Sequence, residues 1–197
     1  MIHKNFWAIT ALVTGMSVVT GCATAPLVAT DPRSISTTTK DQYIKRSLTI
    51  TYMGDEFKKD HVSVDTYNHR VLLTGQASSY AQRNKIVKIA SKTDGVNTVF
   101  DYLNVSSKYN STTTEDTYIT GKVKSLLFST GDVNSNDVQV VTANGVVYLL
   151  GIIAKPQQKN MVEAARSVDG VRDVVPLLQY KSSDTKFNLP SSEKPSN

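Results

Sequence analysis

The sequence predicts an α+β protein made of two tandem copies of one small domain. Each copy runs helix, strand, strand, helix, strand (αββαβ), a small mixed sheet covered by two helices. Three observations carry this. The chain repeats itself: Asp41-Gln42-Tyr43-Ile44-Lys45 returns as Asp116-Thr117-Tyr118-Ile119-Thr120, Val71-Leu72-Leu73-Thr74-Gly75 as Val147-Tyr148-Leu149-Leu150-Gly151, and Asp94-Gly95-Val96 as Asp169-Gly170-Val171. Between two apolar runs stands Ala143-Asn144-Gly145, and Asn-Gly tolerates the positive φ that a tight hairpin turn demands. Finally, Met161, Ala164, Ala165 and Val168 recur at i, i+3, i+4, i+7, the spacing of one buried helix face.

The elements follow in order. Residues 1–21 read as an export signal: Lys4 precedes a mainly apolar stretch, 6–19, too short to span a bilayer, which needs roughly 20 apolar residues. It ends in Val19-Thr20-Gly21-Cys22, the pattern of a bacterial lipobox. In a lipobox the thiol takes a diacylglyceryl group, the leader is cut before the cysteine, and the new amine receives a fatty acyl chain such as palmitate. Cys22 is the one cysteine of the chain and the expected lipid anchor. Ala23, rather than Asp, favours the outer membrane. Residues 22–40, with Pro26, Pro32 and a Ser/Thr run, read as an acylated flexible tether. As a random coil it would span on the order of 25 Å, and about 60 Å extended.

Domain 1 is expected over 41–105, a polar linker over 106–115, domain 2 over 116–181 and a disordered tail over 182–197. In domain 2, Asp116 is expected to N-cap a helix to about 129. Strands follow over 137–142 and 146–153, a helix begins at Pro156 and ends by Gly170, and the last strand covers 171–180. Ile86, Ile89, Ala90 and Thr93 are the positions in copy one that match the apolar face of that second helix.

Composition excludes several classes. The net charge of +5 is thin, and no Lys/Arg cluster marks a nucleic-acid face. A single cysteine excludes an internal disulfide, and three histidines, one in the leader, leave little for metal or triad chemistry. His61 and His69 fall on separate elements and read as surface histidines. No glycine opens a phosphate-binding helix. Neither an enzyme, a cofactor, a metal nor a small-molecule substrate is expected.

The repeated unit, with its Val-x-Leu-x-Gly strand end and Gly-Val-x-x-Val before the last strand, resembles the BON domain. Two such units behind a lipobox resemble the dual-BON outer-membrane lipoproteins. The likeness extends to Ala29-Thr30-Asp31-Pro32-Arg33-Ser34 and to Lys122-Val123, although Tyr118 stands where that group is expected to have Trp. The resemblance implies a non-catalytic pair of domains, facing the periplasm from the outer membrane. The second would bind anionic phospholipid, such as phosphatidylglycerol, through its first helix. The implied role is outer-membrane integrity, with enrichment at the division site.

The residues of that helix can be read independently. At about 100° per residue, Ile119, Val123, Leu126 and Leu127 group on one arc as core. Tyr118, Gly121, Lys122, Lys124, Ser125 and Phe128 occupy the rest and form the expected phospholipid site. An aromatic with a polar tip suits the headgroup boundary, and each lysine near an anionic surface is worth about 1 kcal/mol. The residues leave a second reading open, in which Tyr118 and Phe128 pack on copy one. The rival function is a protein-interaction adaptor docking on envelope or cell-wall proteins.

Overall fold

A computed structural model describes residues 31–108, 111–129, 133, 134 and 136–181. The expected leader, Cys22 and the tail 182–197 lie outside the described residues. Two αββαβ units are present, as predicted. The first consists of α1 (Ile35–Tyr52), β1 (His61–Tyr67), β2 (Arg70–Ala77), α2 (Tyr80–Lys92) and β3 (Thr98–Val105). The second consists of α3 (Thr113–Ser129), β4 (Val138–Ala143), β5 (Val146–Ile153), α4 (Gln157–Arg166) and β6 (Asp173–Tyr180). Among the described residues no helix is long and apolar enough to cross a membrane.

Each sheet has its second strand in the middle. β1 pairs antiparallel with β2, and β2 parallel with β3; β4, β5 and β6 repeat the pattern. The helices of each unit bury one sheet face. Ile44, Leu48, Val71, Leu73, Ile86 and Ala90 form this core in the first unit. Ile119, Val123, Val147, Leu149, Met161 and Ala165 form it in the second.

The opposite sheet faces pack on each other. Tyr67 and Leu72 of the first unit join Tyr148, Leu150 and Leu177 of the second in a third cluster. The layers therefore run helix, sheet, sheet, helix. This explains why the central strands read as unbroken apolar runs: both of their faces are covered. Polar bonds rim the contact. Gln139 Nε2 donates to Asp65 at 2.9 Å and Asn68 Nδ2 to Gln179 at 2.7 Å. The Tyr102 and Tyr148 rings lie 4.7 Å apart. Arg70 is buried in this layer, and its Nε has no hydrogen-bond partner.

Two expectations about helix starts need correction. α1 begins at Ile35, inside the stretch read as tether. Ser34 caps it by accepting from Thr37 N, and Arg33 is fixed by bonds to Asp31 and Asp41 with its guanidinium 4.1 Å over the Tyr67 ring. The Ser/Thr run hid this start because such residues favour caps and turns over helix interiors. Asp116 is not an N-cap. It sits within α3, which starts at Thr113, and is buried.

Its carboxylate instead accepts from Asn144 N and Gly145 N, both at 2.8 Å, and so grips the β4–β5 turn. Asp41 does the same in the first unit, taking Asn68 N at 2.7 Å and His69 N at 2.8 Å. Both turns place two consecutive residues at positive φ, which turns their N–H groups toward one carboxylate.

Candidate functional site

The expected site lies on α3, and the helix's seating on its sheet decides which residues it presents. Asp116, Ile119, Val123 and Leu127 face inward. The buried arc is thus centred to one side of the position expected from apolar residues alone, because a carboxylate occupies part of it. This moves two residues. Leu126, expected in the core, lies at the arc's edge and is 37% exposed. Phe128, expected to face outward, is half-buried in the last turn and packs on the core of its own unit. It leaves the surface set.

The other expected residues are exposed. Tyr118 is 60% exposed, and Lys122, one turn on, holds its ammonium 5.5 Å from the ring centroid, within cation–π range. Ser125 continues the same stripe. Gly121 and Lys124 are exposed on the neighbouring stripe, and a Cβ added at Gly121 would meet nothing within 4 Å.

Tyr118, Lys122 and Ser125 line a shallow groove of about 350 Å³ with Leu126, Ser129, Ser167, Val168 and Asp169. The structure brings these three predicted residues together and leaves Gly121, Lys124 and Phe128 outside. Across Leu126 the surface dips again into a pocket of about 300 Å³ between α3 and α4, lined by Leu127, Val133, Pro156, Met161 and Ala164 among others. A hydroxyl-rich groove with one lysine, Lys122, thus adjoins one that is apolar apart from Gln157 and Asn160. Asp169 is the acid on its rim. The sequence reading missed this second pocket because its walls come from both helices of the unit.

A larger cleft of about 920 Å³ lies between the two units, lined by β1, β4 and the inner sides of α1 and α3. It contains none of the predicted surface residues. Its carboxylates Asp60, Asp65 and Asp116 are already engaged, the first by Ser78 N and Gln82, the second by Lys45 and Gln139 and the third by the turn it holds. Among the described residues no group of three or more His, Cys, Asp or Glu could hold a metal ion.

Comparison with known families matches a BON domain model to residues 44–107 and again to 115–182. The chain belongs to the BON domain family. The two matches cover both sheets and their helices, except residues 35–43 of α1 and the first two of α3. The chain is 33% identical over 167 residues to the outer membrane lipoprotein DolP of Haemophilus influenzae, covering 83% of this chain and 86% of that protein. It is 29% identical to the 21 kDa hemolysin of Actinobacillus pleuropneumoniae, over 76% of this chain and 79% of the relative. It is also 35% identical to the osmotically-inducible protein Y of Escherichia coli, over 64% and 65% of the two.

Proposed function

We propose that this BON protein is an acylated lipoprotein, held at the outer membrane through Cys22 and facing the periplasm. In this reading it binds anionic phospholipid, phosphatidylglycerol foremost, through α3, supports outer-membrane integrity and carries out no catalysis. Enrichment at the division site belongs to the same proposal. The likeness to an outer membrane lipoprotein supports the location.

One observation carries the lipid reading. Tyr118 stands largely in solvent with the Lys122 ammonium over its ring, beside a groove whose far end is apolar. The ring edge and hydroxyl suit the headgroup boundary, the ammonium a phosphate, and the apolar pocket the first methylenes of an acyl chain. Lys124 adds charge from the adjacent stripe. At about 1 kcal/mol for each lysine, such binding is weak in free solution. An acyl anchor makes weak binding sufficient by raising the local lipid concentration.

Flotation of the acyl-free chain (Cys22→Ser, leader removed) with phosphatidylcholine vesicles, with and without phosphatidylglycerol, tests this. Co-flotation only with phosphatidylglycerol is expected. Failure to float with either would favour a protein-docking adaptor.

A further inference from the structure

We infer that α1 of the first domain carries a second contact for an anionic bilayer surface. Tyr43 and Tyr118 are the same position of the repeat. Their exposures are 61% and 60%, and each has a lysine beside its ring, Lys40 at 5.4 Å and Lys122 at 5.5 Å from the centroid. The exposed tyrosine therefore recurs in both copies, with its lysine before it in α1, where Asp94 also holds that lysine, and after it in α3.

Beyond Tyr43 the two helices diverge. α3 continues with Ser125, whereas α1 continues with Ile50, 60% exposed, and is followed by its C-cap Met53, 79% exposed at the rim of the cleft between the units. At about 100° per residue, Tyr43, Arg46, Ile50 and Met53 lie within about 80° of one another. Isolated exposed apolar residues are ordinary on a soluble protein. Three large ones aligned on a single helix, with an arginine among them, are a surface feature that the fold does not require. The one acid of α1, Asp41, is turned inward onto the β1–β2 turn. The outward face thus carries apolar side chains and Arg46 with no acid among them; Asp94, which pairs with Lys40, and Asp55 and Glu56, which follow Met53, are the acids at its edges, Glu56 being paired with Lys85.

Charge and connectivity favour a bilayer as the occupant over a protein surface. The described chain begins at Asp31, nine residues after Cys22, a distance of at most about 30 Å when extended. Arg33, fixed to Asp31, Asp41 and the Tyr67 ring, then delivers the chain directly into α1, whose first residue, Ile35, is 88% exposed. This part of the argument rests on the proposed acylation of Cys22. The helix nearest the anchor is the one with the most exposed apolar area. Its Ile50 and Met53 enter the headgroup boundary, and Arg46 lies on the phosphates.

The test uses the acyl-free, leader-free chain and vesicles of phosphatidylcholine with phosphatidylglycerol. Ile50→Glu/Met53→Glu is expected to lower vesicle affinity about tenfold, the scale for withdrawing two apolar side chains from the boundary. Trp7, the only tryptophan, lies in the leader, so Ile50→Trp supplies a single reporter. Its emission is expected to shift blue and to be quenched by brominated lipid. Undiminished binding of the double variant, or an Ile50→Trp signal indifferent to brominated lipid, overturns the inference. So does a double variant that changes only the oligomeric state, which would make the face a contact between copies. Tyr118→Ala, measured in parallel, reports on α3 alone and separates failure of this inference from failure of the α3 reading.

Discussion

The Tyr67 hydroxyl of the first domain donates to the main-chain carbonyl of Asp137 in the second, at 2.9 Å. The same ring carries the Arg33 guanidinium on its face. One side chain thus links the entry of α1, the first sheet and the second domain. Tyr67→Phe removes only the hydroxyl, and the Asp137 carbonyl keeps the bond from Ile152 N. A loss of about 1 kcal/mol in urea unfolding is expected. Tyr67→Ala also empties the layer between the sheets and is expected to cost about 3–5 kcal/mol.

Alkaline pH is expected to weaken the same layer. Burial pushes Tyr67 up to about 12, against the opposing influence of Arg33, and burial also pushes Tyr148 to about 12. An unfolded tyrosine ionises near pH 10. Below that value both states keep the proton and stability is unaffected. Between about 10 and 12 the unfolded chain loses protons that the folded chain retains, so stability falls as pH rises. Melting temperature followed against pH, with phenolate absorbance, is expected to decline through that window, and less steeply in Tyr67→Phe.

Asp41 and Asp116 hold equivalent turns from inside their helices. Alanine at either position orphans two turn N–H groups and is expected to cost about 2–4 kcal/mol in denaturant unfolding. Asp41→Ala is expected to cost more, because it also releases Arg33. Wild-type stability in both variants would contradict the assigned role.

Two glycines are expected to respond in opposite directions. Gly75 has φ +102, and an added Cβ would lie 2.1 Å from the His61 carbonyl oxygen, so Gly75→Ala is expected to disrupt the β1–β2 pairing. Gly121 is helical, exposed and unobstructed, so Gly121→Ala is expected to raise stability by about 0.5–1 kcal/mol. Thermal melts of the two variants check both.

Much of this architecture was legible because its signals are local. The repeat, the Asn-Gly turn and the Met161–Ala165 spacing each depend on residues close in sequence. What was hidden depends on partners far away. Asp116 resembles an N-cap until the turn it grips is brought alongside. The Ser/Thr run before Asp41 reads as coil until Arg33 is seen fixed on Tyr67. Leu126 and Phe128 exchange roles because a buried carboxylate shifts the core arc of α3. The unbroken Val71-Leu72-Leu73 run did hold a clue to the packed sheets, since an apolar strand without alternation needs cover on both faces.

The central claim is that α3 meets anionic phospholipid through Tyr118 and Lys122. Its most direct test is the vesicle affinity of the acyl-free chain carrying Tyr118→Ala or Lys122→Glu, with melting temperature measured alongside. Both sites are exposed, so unchanged melting is expected, together with about a tenfold loss of binding to phosphatidylglycerol vesicles for the charge reversal. Full binding by both stably folded variants would contradict the account.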